Sequence, residues 1–232
     1  MTAFAHVYAV LIKQIKDSLK NRMILVIFFM FPILAVTFKC IVSENEFKSI
    51  LPSFITMNTV MIPIVFMSSI VSEEKEKKTL RMLIMSNIKP WEYLIGVGCW
   101  VFIQALVSSC LFLLIIPVSV NEGLVYVLTT IIGIACSLII GAILAIVAKN
   151  QMSVGPVTAP ISMILGLLPM FSSMNTDVEK IAKLFYSYYI RNTFVSLKYD
   201  FDAMSWLIIG LNLLVLITMF VLLYKCKGIN DD

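Results

Sequence analysis

The sequence predicts an all-α fold, a polytopic membrane protein of six transmembrane helices. Three observations carry that prediction. The 232 residues are 60% hydrophobic and only 14% charged, whereas soluble domains run near a quarter charged. The mean hydropathy is +0.96. The charges also fall in clusters between apolar runs. Six windows free of Asp, Glu, Lys, Arg and His stand out, at 23–38, 49–72, 93–121, 123–148, 150–176 and 203–224. A bilayer core takes about 20 residues of helix. The first window is short and extends past Lys39, whose stem can snorkel to the interface. Some others exceed one crossing, so their ends are interfacial or bent. The spans are therefore expected at about 23–42, 50–72, 93–120, 123–148, 151–175 and 203–224.

The N-terminus does not run from a charged region into an apolar core and a small-residue cleavage site. The first span is therefore expected to stay in the mature protein. Six spans put both termini on one side, and Lys and Arg choose which. Residues 1–22, the 73–92 loop, Lys149 and the tail hold twelve of these cations, and the opposite connections hold six. The majority side should be cytoplasmic, which places both termini on the cytoplasmic side of the cell membrane.

Ahead of the first span, residues 1–22 contain "FAHVYAVLIKQIKDSLKNR". Phe4, Val7, Tyr8, Leu11, Ile12, Ile15 and Leu19 recur at helical spacing, opposite Lys13, Gln14, Lys16, Asp17 and Lys20. That pattern describes an interfacial helix, apolar side down and lysines toward anionic membrane lipid. The competing reading is a helix packed on another protein surface. His6, the lone histidine, reads as an interfacial bystander.

In the fourth span Gly133, Ser137, Gly141 and Ala145 lie four residues apart. Small residues at that spacing form a groove where another helix can approach closely, as a dimer seam or as internal packing. The fifth span carries Pro156, Pro160, Gly166 and Pro169, which predict kinks or a broken helix. Then "SSMNTDVEKIAKLFYSYYIRNTF" places Val178, Ile181, Ala182, Phe185 and Tyr189 roughly on one face. It reads as a short outer amphipathic element with Tyr186, Tyr188 and Tyr189 at headgroup depth. The five cysteines show no pairing or metal-type spacing and read as small apolar fillers.

Several chemistries are missing. There is no GxxxxGK[ST] phosphate loop, and one histidine forbids an HExxH zinc site. No catalytic residue and no metal ligand set is expected. No ionisable side chain falls well inside a span, which removes an intramembrane aspartyl protease. It also argues against an ion-coupled carrier, which usually keeps such a group at the midplane. Energy for transport would have to enter through a cytoplasmic surface.

One segment is large enough for that. Between Glu73 and Glu92, nine charged residues occupy twenty positions. Glu73, Glu74, Lys75, Glu76, Lys77 and Lys78 can extend the second span out of the bilayer, with Glu73–Lys77 and Glu74–Lys78 as i,i+4 pairs. Leu80, Leu83 and Ile84 offer an apolar side, while Met82 and Met85 are adaptable contacts. Ser86-Asn87 punctuates the helix. Pro90 opens the next one, with Trp91 at the interface. The bland alternative is a solvated loop that only sets topology.

"SEEKEKKTLRMLIMSNIKPWEYLIG" resembles the cytoplasmic signature of type-two ABC exporter permeases. That signature has the form SEEKE-x-G-T-L-E, followed by a turn and a P/R-W-E-like start to the third span. Ser72, Glu73, Glu74, Lys75, Glu76, Thr79, Leu80, Trp91 and Glu92 match. Lys78 stands where Gly is usual and Arg81 where Glu is usual. The surface helix, the six spans and an outer re-entrant hairpin before the last span extend the similarity over the whole chain.

The resemblance implies a single transmembrane permease domain over 1–232 that pairs with a second permease, identical or homologous. Two copies of a separate ABC ATPase subunit would bind ATP and Mg, so the chain itself binds no cofactor. Nucleic acid is not an implied partner. The coupling residues it implies are Glu73, Glu74, Glu76, Thr79, Leu80, Arg81, Leu83, Met85, Ser86 and Asn87. The implied activity is export of an amphipathic or hydrophobic substrate such as an antimicrobial peptide, a drug or a lipid-like molecule. A haem-exporter-like or polysaccharide permease and a non-transporting membrane scaffold or immunity protein are the alternatives.

Overall fold

The computed structural model describes residues 3–85, 88–115, 118–148, 150–197 and 203–227. Those residues form helices and turns only. In order they are α1 (Ala3–Lys20), α2 (Arg22–Phe28), α3 (Met30–Ile41), α4 (Glu44–Glu76), α5 (Thr79–Met85) and α6 (Pro90–Cys110), which tightens into a 3-10 turn at Leu111–Leu114. Then come α7 (Val120–Val147), α8 (Gln151–Phe171), α9 (Thr176–Ala182), α10 (Tyr186–Ser196) and α11 (Ala203–Lys227).

The mast of the bundle is α4. Its 33 residues rise about 50 Å at 1.5 Å each, well beyond a hydrocarbon core of about 30 Å. It starts at Ser43, whose backbone N–H and hydroxyl both donate to Glu46 Oε2, at 3.1 and 2.7 Å. Around it pack α3, α6, α7, α8 and α10. Side-chain pairings give the directions. Gly133 lies against Thr59 and Gly141 against Met67, so α7 runs parallel to α4. Asn58 meets Ser109 while Glu74 lies beside Tyr93, and Ser68 meets Thr158 while Glu76 holds Gln151, so α6 and α8 run antiparallel to α4.

Among the described residues five helices are long and apolar enough to cross a membrane: Glu44–Glu76, Pro90–Leu114, Val120–Val147, Gln151–Phe171 and Met204–Cys226. The expected first span is not one helix. It divides at Phe29 into α2 and α3, and only the twelve residues of Met30–Ile41 form a separate apolar helix there. Pro32 is the physical cause. It has no N–H to return to the Phe28 carbonyl one turn back. The Ser108 hydroxyl lies 2.7 Å from that oxygen and takes the vacant role. Ring pairs Phe28–Phe66 and Phe38–Phe54 keep the two pieces beside α4 and antiparallel to it.

Of the kinks or break expected in the fifth span, the break does not occur: Pro156, Pro160 and Pro169 all lie inside the continuous α8. The segment after it turns two of its three tyrosines, Tyr186 and Tyr189, into the protein. It folds as α9 and α10, and α10 packs on α4, α7 and α8. Tyr186 is buried, its hydroxyl 2.8 Å from Ser137 Oγ. Tyr189 is also buried, while Ile181, expected on the packed face, is exposed. Of the cysteines, Cys136 is buried filler, but Cys40 and Cys226 are exposed.

The stripe on α7 has a definite partner. A Cβ on Gly133 would come within 2.6 Å of Thr59 Cγ2, and one on Gly141 within 2.8 Å of Met67 Cβ and 2.9 Å of the Ile64 carbonyl. Ser137 and Ala145 are fully buried along the same face. The groove is internal packing against α4.

Candidate functional site

The candidate site is the end of α4 with the turn that follows. Four consecutive charged residues there reach four different places. The Glu73 carboxylate pairs with Lys77 one turn on, at the surface, and this contact holds the Lys77 ammonium above its ordinary pKa. Glu74 turns inward and is 7% exposed. Its Oε1 accepts from Lys13 Nζ at 2.5 Å and from Gln14 Nε2 at 2.5 Å, both on α1. Lys75 Nζ donates to the carbonyls of Ala145 at 2.7 Å and Ala148 at 3.3 Å, at the end of α7. Glu76 Oε2 accepts the backbone N–H of Gln151 at 2.9 Å, at the start of α8.

The signs suit the helix termini. A helix C-terminus carries unsatisfied carbonyls and partial negative charge, so Lys75 is the stabilising ion there. A helix N-terminus carries free N–H groups and partial positive charge, so Glu76 belongs there. This run of charges ties the same end of α1, α7 and α8 to α4. The expected Glu74–Lys78 pair does not form, because Glu74 is committed to α1 and the helix has ended before Lys78.

The backbone explains that ending. Lys78 has φ 56°, the left-handed region that costs any residue with a Cβ roughly 1 kcal/mol. This is the position where the resembled signature carries Gly. The Thr79 hydroxyl donates to the Glu74 carbonyl at 3.2 Å, closing the open end of α4. The reversed turn sends α5 off at a new angle, so the charged helix and the methionine helix are two elements rather than one. Leu83 packs against the core, while Met82 and Met85 are 59% and 81% exposed. Ser86 and Asn87 lie outside the described residues, as do the side chains of Leu80 and Arg81. Beyond them Pro90 sits at the first position of α6, and Glu92 Oε2 accepts the Lys89 N–H at 3.0 Å.

The partner of this site is α1, and here the structure revises the reading of the first helix. Its packed face is the row His6, Val10, Gln14 and Ser18, spaced by four. His6 Nδ1 lies 2.8 Å from Glu92 Oε2, so it is no bystander. Val10 fills the space over Gly96, where a Cβ would meet it at 2.7 Å. Trp100 Nε1 donates to Ser18 Oγ at 2.8 Å. Glu92, Gly96 and Trp100 form a second row spaced by four. Interleaving two such rows crosses helices at about 50°, and both rows advance in the same chain direction. The face read as apolar remains open: Phe4, Tyr8 and Leu19 are exposed, Leu11 and Ile15 half-buried. Thus α1 is both packed on protein and apolar outward.

Sequence reasoning had placed Glu73, Glu74, Glu76, Thr79, Leu83 and Met85 in one functional group. The structure brings them to one end of the bundle but divides their work, with Glu74 inside, Glu76 at the surface on the start of α8, and Met85 outside. Lys13, Gln14, Lys75 and His6 were missed. The i,i+4 row of small and polar residues on α1 is the signal that could have found two of them, His6 and Gln14. Among the described residues, no three His, Cys, Asp or Glu side chains gather as a metal site requires.

A family model described as ABC-2 family transporter protein matches residues 9–224, nearly the whole chain, including two thirds of α1 and the charged turn. No curated protein matches.

Proposed function

The chain belongs to the ABC-2 family of transporter proteins, and from that premise we propose that it is the membrane subunit of an exporter driven by a separate ATPase. It is a multi-pass membrane protein and an ABC transporter permease. In the proposed reading two ATPase copies bind ATP and Mg, and a second permease, identical or homologous, completes the pathway. α2 and α3 together make the remaining pass, and both termini face the cytoplasm with the charged turn.

The observation that carries this reading is the contrast between α5 and its base. Met82 and Met85 are exposed on a seven-residue helix, while the residues just before it are bonded into three other helices. A polarizable, adaptable surface on a rigid base suits a contact that receives force. Displacing α5 would move α4, and the bonds from Glu74, Lys75 and Glu76 would pass that motion to α1, α7 and α8. In this division of labour, Met82 and Met85 meet the ATPase and Glu74 transmits.

The proposed substrate is amphipathic or hydrophobic, an antimicrobial peptide, drug or lipid-like molecule, exported from the membrane or the cell. The support is chemical: spans without ionisable side chains near their middles offer such a molecule a wall that does not demand its desolvated charge be matched.

The test is a mild-detergent purification from native membranes, with co-purifying proteins identified by mass spectrometry. A nucleotide-binding ATPase should accompany the wild type and be lost with Met82→Asp/Met85→Asp. Glu74→Gln should retain the ATPase yet lose transport-coupled ATP turnover. A clean preparation without any ATPase would move the assignment to a membrane scaffold or immunity protein.

A further inference from the structure

At the end of the bundle remote from Lys75 and Glu76, the turn after α8, the helix α9 and the first half of α10 line an open cavity of about 320 Å³. Its wall carries Arg191, Tyr188, Asn192, Asn175, Ser173 and Glu179. Arg191 sits on α10 and is half-buried. Its Nε donates to Ser53 Oγ of α4 at a long 3.5 Å. Among the described residues no carboxylate pairs with it.

The acid that shares the cavity is engaged elsewhere. Glu179 Oε1 lies 2.8 Å from Lys183 Nζ and accepts from the Tyr188 hydroxyl at 3.1 Å. These contacts hold its carboxyl below the usual carboxylate range. Burial alone pulls the Arg191 pKa below its ordinary value, the direction expected of a cation that has lost water and gained no anion.

A guanidinium has five N–H donors in a planar fork, and here the terminal nitrogens have no partner among the described residues. Half-burial without an anion is costly for a side chain that stays charged. The fork matches the oxygens of a phosphate bidentately. Donors for its other oxygens lie around it. Asn175 spends its Oδ1 on the Asp177 N–H at 2.8 Å, which leaves its amide nitrogen for the cavity, and Asn192 adds a second side-chain amide.

We propose that this cavity binds a phosphate group, held by Arg191 with the side-chain amides of Asn175 and Asn192. The phosphate can arrive on a phospholipid headgroup or free in solution. The rim favours the lipid, since Met174 of the cavity wall is an exposed apolar side chain that an acyl chain would cover. The site is separate from α5 and does not depend on the ATPase reading.

The test uses the full chain, purified and delipidated in phosphate-free buffer, and reads the thermal unfolding midpoint. The probes are dihexanoyl phosphatidylglycerol, inorganic phosphate, and dihexanoylglycerol as the phosphate-free control. The wild-type midpoint should rise saturably with the phospholipid and not with dihexanoylglycerol. Arg191→Gln should weaken that response about tenfold or more, the scale of a lost charge-assisted contact, and Arg191→Lys should weaken it less. Asn192→Asp, which supplies a carboxylate beside an intact Arg191, should also abolish the response and guards against misfolding of the arginine variant. An equal response to inorganic phosphate would identify the free ion as the ligand. No saturable response to either phosphate probe, or unchanged responses in Arg191→Gln and Asn192→Asp, would overturn the site.

Discussion

The Lys13 ammonium and the Glu74 carboxylate, 61 residues apart in sequence, lie 2.5 Å apart in the fold. This contact joins the first helix to the end of the central one, and Gln14 doubles it at 2.5 Å. A carboxylate this deep is stable only while its partners remain. Removing the partners but leaving the charge should therefore be worse than removing both. Lys13→Ala/Gln14→Ala should destabilise the protein by roughly 2–3 kcal/mol, the buried-pair cost discounted because Lys13 is about one-third exposed. Adding Glu74→Leu to that background should recover part of the loss. Chemical unfolding in detergent, read by tryptophan fluorescence, measures the cycle. Strict additivity would show that the three side chains do not act together.

The turn after Glu76 makes a second prediction. Lys78 holds φ 56°, so Lys78→Gly should relieve strain and stabilise by about 1 kcal/mol. Lys78→Val should cost more than that and misdirect α5, because a β-branched side chain tolerates this region least. Unfolding midpoints report the first effect. ATPase capture through Met82 and Met85 reports the second. A neutral glycine variant would mean that the lysine side chain contributes something the backbone argument omits.

How much of this was legible in the sequence depends on what each residue type announces alone. The Gly133–Ala145 stripe announced a close approach, because small residues matter only where something touches them. It could not name α4, since the partner is a tertiary fact. On α1 the large apolar residues Phe4, Tyr8 and Leu19 dominated the periodicity and marked the face that stays open. The packed face uses His6, Val10, Gln14 and Ser18, whose modest hydrophobicity hides them. Prolines misled in both directions. Three of them sit inside the unbroken α8, whereas Pro32 coincides with a break because the Ser108 hydroxyl stabilises the freed carbonyl. Each proline removes one backbone bond; a neighbouring donor decides whether the helix opens there. The charges of 73–76 stand out in the sequence as a cluster, and the structure shows them bonded at one end of the bundle. The Glu73–Lys77 pair was legible from its i,i+4 spacing, but the partners of Glu74, Lys75 and Glu76 were not, because they are backbone atoms at helix ends and side chains 60 or more residues away.

The α4–α7 groove should tolerate almost nothing. At Gly141 a Cβ would lie 2.9 Å from the Ile64 carbonyl oxygen, a backbone atom that cannot rotate aside. Gly141→Ala should therefore separate α7 from α4 and cost about 1–3 kcal/mol of overpacking, seen as a lower melting temperature and a broadened size-exclusion peak. Gly98→Ala is the control, for nothing lies within 4 Å of its Cβ position. Equal behaviour of the two variants would contradict the packing assigned to this stripe.

The last prediction concerns the break between α2 and α3. The Phe28 carbonyl lacks its helical donor because residue 32 is proline, and Ser108 Oγ stands 2.7 Å away in its place. The same hydroxyl lies 3.0 Å from Asn58 Oδ1, and a single proton cannot serve both oxygens fully. Ser108→Ala should cost about 1–2 kcal/mol in the wild type, because a buried carbonyl would then have no partner. Pro32→Ala restores an N–H at the correct position and allows the helix to close over Phe29. In that background the Ser108 hydroxyl is free for Asn58, and Ser108→Ala should cost less than in the wild type, because the Asn58 oxygen alone, and no longer the Phe28 carbonyl, loses its donor. The non-additivity is the diagnostic, since it arises only if both donors compete for one oxygen. Equal costs in the two backgrounds would mean that the division at Phe29 has another cause and that Ser108 serves Asn58 alone.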